Sequence, residues 1–191
     1  MRHLAYSNYK DMKIGSLELR TLRCEDEASF KDAVEEFRNE TPPWTFAFDF
    51  DQSAVFSNYV AKLEGWSRGV SLPENFVPNT FFVGVVDGKI VGRLPLRHCL
   101  NDFLERIGGH IGYGVIPSCR RRGYATEMLK QAIPACKSLG IGEALITCDI
   151  DNIASRKVIE NCGGIYEGDT NCPELDVQKR RYWMVTGWKG E

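Results

Sequence analysis

Gly108–Ala125, which reads GGHIGYGVIPSCRRRGYA, decides how this chain is to be read. His110–Ile116 is a short β-prone run that stops at Pro117. A turn with Arg120, Arg121 and Arg122 follows, then Gly123, and a strong helical pattern begins. A strand, a basic glycine-bearing turn and a helix start together make an anion cradle. The first-turn N–H groups of a helix have no intrahelical partner, and the helix dipole is positive at that end. Arginines add charge and forked donors, and glycine lets a ligand approach the backbone. Read by themselves, three arginines in a row are also compatible with a solvated basic turn.

The rest of the chain narrows the setting. Its 191 residues, 43% hydrophobic and 26% charged, suit one globular domain spanning residues 1–191. A net charge of -2 argues against a general nucleic-acid binder but leaves room for a small phosphorylated ligand. The seven cysteines are scattered, with no CxxC pair, so neither a metal site nor a disulfide framework is expected, and a reducing cytoplasm is. No apolar run reaches membrane-spanning length, and the N-terminal residues lack a signal core. No GxxxxGK(S/T) segment is present, which removes a P-loop enzyme.

Periodicity supplies the element order. Leu17–Leu22 reads as a strand; Asp26 can cap a helix with Phe30, Ala33, Val34 and Phe37 on one face. Thr41-Pro42-Pro43 ends it, and an aromatic, acidic loop Trp44–Asp51 follows, a candidate acceptor-site wall or a core-anchored loop. Asp51 or Ser53 can cap a second helix with Phe56, Tyr59, Val60 and Leu63 inward. Thr80–Val86 and Lys89–Leu96 flank Asp87-Gly88, a hairpin signal, with Pro95 marking a bulge or an edge. A helix from Gly123 or Tyr124 runs to Gly140, with a kink expected at Pro134. Ala144–Cys148 is a buried strand, Asn152–Asn161 a helix with Ala154, Val158 and Cys162 inward, and Ile165–Glu167 and Arg180–Thr186 a last pair of strands. The expected fold is a three-layer α/β (mixed α+β) architecture, a central mixed, mostly antiparallel sheet flanked by helices.

Two segments in this order resemble the GNAT N-acetyltransferase superfamily, in its broad bacterial branch. Arg120-Arg121-Arg122-Gly123-Tyr124-Ala125 is similar to that family's (Gln/Arg)-x-x-Gly-x-(Gly/Ala) pyrophosphate signature, and Asn152–Gly164 to its N-x-A-S-x-x-x-(Y)-E-x-x-G-(F) run. The resemblance covers most of the chain, with a signature core at about residues 80–168. It implies acetyl-CoA as co-substrate and an enzyme that passes the acetyl group directly to a primary amine of a small molecule or peptide. A non-catalytic CoA-binding module on the same fold is the alternative. By resemblance, Val115 and Ile116 pair with the pantetheine arm, Arg120 to Ala125 cradle the pyrophosphate, and Asn152, Ser155 and Lys157 contact the cofactor. Taken alone, Asn152 also reads as a helix N-cap, Ser155 as first-turn polarity and Lys157 as a surface lysine.

The resemblance departs from the family pattern at Ile159, where many members carry a tyrosine that protonates the leaving thiolate. For the base, the strand before the signature turn offers His110, with His98 and Glu105 as alternatives; His110 also reads as a hydrogen-bonded structural histidine. The resemblance also makes a homodimer an expectation, and neither nucleic acid nor membrane is expected as a partner.

Overall fold

The computed structural model describes residues 17–40, 45–173 and 176–187. The elements run β1 (Glu18–Thr21), α1 (Glu27–Arg38), α2 (Phe56–Ser67), β2 (Asn79–Val86), β3 (Lys89–Arg97), β4 (Gly114–Val115), α3 (Tyr124–Ser138), β5 (Glu143–Asp149), α4 (Ile153–Asn161), β6 (Ile165–Cys172) and β7 (Val177–Val185). Strands β1-β2-β3-β4 form one sheet and β5-β7-β6 another, every pair antiparallel. The two sheets meet at Ile111, which bridges Leu96 in antiparallel fashion and Ile146 in parallel. That single parallel contact is what makes the sheet mixed.

Two apolar clusters cover the two faces. On one, Met128, Leu129, Ala132 and Cys136 of α3 and Ile159 of α4 pack on Leu94, Leu96, Ile111 and Ile146. On the other, Phe30 and Phe37 of α1 and Phe56, Tyr59, Leu63 and Trp66 of α2 pack on Phe81, Val83 and Val85. Alternating side chains along β2 and β3 feed both, which is why a three-layer sandwich follows from two-sided strands. Gly92 sets the depth of α3. A Cβ there would stand 2.6 Å from the Gly114 carbonyl and 2.8 Å from Met128 Cε, so only glycine lets helix and sheet close.

Asp87 and Gly88 both take positive φ (49° and 74°) and close the β2–β3 hairpin as the sequence implies. Several local readings are corrected. Asp26 precedes α1, but its carboxylate makes no cap; it takes two hydrogen bonds from Arg20 (2.7 and 2.8 Å) and one from the Arg23 N–H (2.8 Å). Neither Asp51 nor Ser53 caps α2, which begins after Val55; Asp51 accepts from the Ser53 N–H and hydroxyl instead. The helix expected through Pro134 is present: α3 runs from Tyr124 to Ser138 with Pro134 at an exposed position. In α4 Val158 and Cys162 pack against the core as expected, but Ala154 is exposed and the fully buried residue is Ile159. The final strands extend to Cys172 and from Val177, so the expected loop Gly168–Gln178 is largely a β-ribbon. Thr41–Trp44, including the expected helix stop, lies outside the described residues.

Candidate active site

The site begins where β4 leaves β5. The His110 N–H donates to the Leu145 carbonyl (2.7 Å) and the Leu145 N–H donates back to His110 Nδ1 (3.0 Å). Gly109, with φ 65°, lies so close that a Cβ would meet the Leu145 carbonyl oxygen at 2.6 Å. One residue on, Ile111 makes the bridge to Ile146, and no later β4–β5 pairing occurs among the described residues. From there β4 follows β3 alone: the Gly112 N–H donates to the Pro95 carbonyl (3.2 Å) and the Ile116 N–H to the Val91 carbonyl (2.9 Å). Backbone groups alternate along a strand, so those of Tyr113 and Val115 face the opened edge. The two strands therefore splay, and β4 turns a short row of main-chain donors and acceptors into the gap.

That edge leads into the basic turn. Arg121 (φ 61°) and Gly123 (φ 82°) both adopt left-handed backbone, and α3 starts at Tyr124. The Glu127 N–H makes the first bond back to Gly123, so the amides of Tyr124, Ala125 and Thr126 have no acceptor within the helix. The three arginines are not equivalent. Arg120 forks onto Glu40 (2.6 and 2.8 Å), donates through Nε to the Val115 carbonyl (3.1 Å) and lies over the Phe37 ring. Its guanidinium thus joins the turn to the end of α1. Glu36 does the same for Ser118, accepting from its N–H (3.1 Å) and hydroxyl (3.0 Å). Arg121 and Arg122 are exposed beside the free amides, with only a long 3.4 Å contact from Arg122 to the Ser118 carbonyl. Tyr124 packs its ring into the core, so its backbone alone belongs to the turn. Glu36 and Glu40 were missed in the sequence because an acidic helix end carries no mark of what it will hold 80 residues away.

Helix α4 borders the gap from the other side. Asn152 is its N-cap, Oδ1 accepting from the Ser155 N–H (2.9 Å). The Tyr113 hydroxyl, just before β4, reaches across to Ser155, lying 2.7 Å from its Oγ and donating to its carbonyl (3.1 Å). Lys157 is exposed. Ile159 is 0% exposed within the core, so no side chain at that position can enter the gap without repacking.

The candidate bases are placed as follows. His110 is buried, and burial together with the nearby Arg97 charge pulls its imidazole down to about 4. Its Nδ1 lone pair is already engaged by the Leu145 N–H, so its proton sits on Nε2 in the neutral form. His98 pairs with the Thr80 hydroxyl (2.9 Å) and is lowered by burial. Glu105 is exposed, its main-chain carbonyl bound by Arg181.

On the α1/α2 face, a chamber of about 310 Å³ opens beneath α2. Phe46, Phe48, Trp66 and Phe81 wall it, and Arg93 and Arg97 of β3 reach into it. Of the aromatic, acidic loop, Phe46 and Phe48 line this chamber, whereas Asp49 pairs with Lys62 (3.0 Å) and Asp51 with Ser53. Trp44 lies outside the described residues. No helix of the described residues is long and apolar enough to cross a membrane, and none of their His, Cys, Asp and Glu side chains cluster as metal ligands.

Comparison with known proteins agrees with this geometry. The acetyltransferase (GNAT) domain model matches residues 16–165. Among solved structures, ribosomal-protein-S5-alanine acetyltransferase from Vibrio fischeri superposes with a TM-score of 0.70 at 15% identity, covering 93% of this chain and 98% of its own. Mycobacterium smegmatis RimJ, solved with CoA-disulfide, gives 0.66 at 21% identity over 90% and 82% of the two chains. The yncA protein of Salmonella typhimurium, solved with its cofactor acetyl-CoA, gives 0.60 at 12% identity over 92% and 96%. No curated protein sequence gives a significant match. A family model spanning most of the chain, over a sheet that splays into a basic turn and a helix start, assigns it: the protein belongs to the GNAT acetyltransferases, enzymes that take their acetyl group from acetyl-CoA.

Proposed function

We propose that this acetyltransferase passes the acetyl group directly to a primary amine of a small molecule or peptide, using the β4 edge and the basic turn to hold acetyl-CoA. The observation that carries this is the continuity between the two. The outward backbone groups of Tyr113 and Val115 run into the unpaired amides at the start of α3, with Arg121 and Arg122 alongside. An extended amide-bearing arm fits the first and a pyrophosphate fits the second.

The residues present suit that cofactor. The Val115 N–H lies at the end of the open strand, whereas the Ile116 N–H is taken by the Val91 carbonyl, and Gly123 has no side chain to cover the amides of Tyr124 and Ala125. Arg121 and Arg122 supply charge; Arg120, tied to Glu40, keeps the turn in place rather than meeting phosphate. Asn152, as the cap, and Ser155, as the partner of Tyr113, hold the α4 end of the gap, and Lys157 is free to meet an outer phosphate.

Acetyl-CoA brings an activated acyl carbon and a thiolate leaving group. The chain's own tasks are to align the amine, keep it neutral and offset developing negative charge. With Ile159 in the core, that position offers the leaving sulfur no proton donor. His110 is assigned as a brace between β4 and β5 rather than as the base, because its acceptor nitrogen is in use. An acceptor on a peptide is supported by the ribosomal-protein acetyltransferase among the similar structures.

The test is thiol release from acetyl-CoA in the presence of a panel of amines and N-terminal peptides, with CoA binding measured in parallel. Amine-dependent release is expected. CoA binding without release for any amine or peptide overturns the proposal.

A further inference from the structure

The walls of the chamber beneath α2 present mostly carbon. Tyr59 and Trp66 both line it, but the Tyr59 hydroxyl donates to the Phe48 carbonyl (3.0 Å) and Trp66 Nε1 to the Ser71 carbonyl (3.2 Å). Asn79 Nδ2 is likewise spent on the Val77 carbonyl (3.2 Å). What these side chains leave for an occupant is largely ring and aliphatic surface, joined by that of Phe46, Leu63 and Phe81.

Two of the walls are also wet. Phe48 and Phe103 line the chamber yet are each 51% exposed, so they stand at its mouth. Phe48 packs on Phe76 with ring centroids 4.5 Å apart, and Phe76 on Trp66 at 5.8 Å, so an aromatic shelf runs from water to the inner wall. An apolar group laid on that shelf removes its contact with water, which is favourable in proportion to the area covered. The chamber abuts the splay. A Cβ on Gly112, one residue past the Ile111 bridge, would meet Pro95 Cγ at 3.7 Å and Arg97 Nη1 at 3.8 Å, and both Pro95 and Arg97 line the chamber. Arg97 is held there by the Gly108 and Gly109 carbonyls (3.2 and 3.1 Å). No Asp or Glu lines the chamber among the described residues, so an ammonium finds no counter-ion in it, and a guanidinium at this end favours the neutral form of an amine.

We propose that this chamber binds the carbon skeleton of the acceptor, and that the acceptor is a monoamine carrying one aromatic or bulky aliphatic group, in the manner of an arylalkylamine. This rests on the acetyl-transfer reading above and specifies its substrate. A chamber of about 310 Å³ suits a single group of that size. The group lies against the aromatic walls, and the amine is left on the Gly112 side, where β4 parts from β5. Its neutral nitrogen forms the new N–C bond to the acetyl carbon as the C–S bond breaks; the electron pair leaves on sulfur and the proton is lost from nitrogen to solvent. Polyamines are selected against, because a second ammonium would be desolvated among rings with no carboxylate to receive it.

The experiment uses a ladder of primary amines, ethylamine through hexylamine, with phenethylamine as the aromatic member and spermidine as the polycationic arm. Thiol release gives kcat/KM, and calorimetry on the CoA-saturated protein gives binding independently of turnover. Both readouts are expected to climb about three- to fourfold per methylene, and phenethylamine to exceed ethylamine by about tenfold to a hundredfold. Phe48→Ala and Phe103→Ala, made singly and together, truncate rings that are half exposed, so the core stays closed. They are expected to flatten the ladder and to lower kcat/KM for phenethylamine about tenfold, with ethylamine little changed and CoA affinity retained as the control for folding. A flat ladder in the wild type, preference for spermidine over hexylamine, an unchanged slope in the variants, or no binding by any apolar amine overturns the proposal. If thiol is released equally with every amine, the chamber assignment fails and the acetyltransferase reading stands. If binding follows the ladder and no amine releases thiol, the chamber assignment stands and the transfer reading fails.

Discussion

His110 offers a prediction that separates a brace from a base. In the fold its imidazole is pulled from 6.5 to about 4, and it is 9% exposed. The unfolded chain takes up a proton below pH 6.5, while the folded chain resists doing so until about pH 4. His110 therefore adds stability in full above 6.5, and that contribution is lost as pH falls from 6.5 to about 4. At about 1.4 kcal/mol for each tenfold step in proton concentration, the loss across that window is on the order of 3 kcal/mol.

Substituting His110→Asn tests this. An Asn Oδ1 can take over the Leu145 N–H that Nδ1 accepts at 3.0 Å, and it does not titrate. Urea denaturation of both proteins between pH 7.5 and 4 cancels the contributions of all other groups in the difference. The variant is expected to lose about 1–2 kcal/mol at pH 7.5 through its smaller side chain, and to fall less steeply in acid by the amount above. His110→Ala, which orphans the Leu145 N–H, is expected to cost about 1–3 kcal/mol beyond the loss of volume. Thiol-release assays on the Asn variant complete the test. Parallel stability slopes for the two proteins refute the buried neutral histidine. A folded Asn variant that loses about a hundredfold in kcat, together with the acid limb of kcat/KM, refutes the brace.

Three other outcomes are expected. Ile159→Tyr, which introduces the family's phenol, meets a site with no room: a Cβ on Gly164 would already stand 2.4 Å from Ile159 Cγ2. It should cost about 1–3 kcal/mol in urea denaturation without raising the rate; a faster enzyme of unchanged stability would show that this position faces the gap. Asp26→Ala removes the carboxylate that Arg20 forks at 2.7 and 2.8 Å, a group 4% exposed. Burial works against its charge, but the Arg20 and Arg23 hydrogen bonds hold its carboxyl below the usual carboxylate range, so about 3 kcal/mol of stability should be lost at pH 7. The wild-type contribution itself is present above the ordinary carboxylate pKa and declines as pH falls through the lowered one. Gly123→Ala forces a side chain into left-handed backbone at φ 82°, which should cost about 1–2 kcal/mol and weaken CoA binding by calorimetry.

The hairpin at Asp87-Gly88, the helix start after Gly123 and the cap at Asn152 were all legible because each depends on residues within a turn of one another. The inward face of α4 was read in part: Val158 and Cys162 pack against the core, but Ala154 is exposed and Ile159 is the buried residue, because the roll of a nine-residue helix is set by what it packs on. The loop Trp44–Asp51 shows both sides of the limit. Its aromatic character put Phe46 and Phe48 at a chamber wall, but its carboxylates are directed elsewhere, and the charges in the chamber come from β3.

By itself, the sequence determined most of the order of elements, the basic glycine-bearing turn before α3 and the family, since these rest on local dihedral preferences, periodicity and short spaced motifs. Tertiary structure alone decided what each polar group does. Arg120 is drawn off to Glu40, 80 positions away; His110 is locked onto Leu145; Ile159 is taken into the core; and Arg93 and Arg97 are gathered beneath α2. A side chain's charge state and availability depend on the partners and the solvent that folding leaves it, and those partners come from distant parts of the chain. The stretch Gly108–Ala125 therefore carries its motif in the open, while which of its polar groups stay available is settled by residues brought to it from elsewhere in the chain.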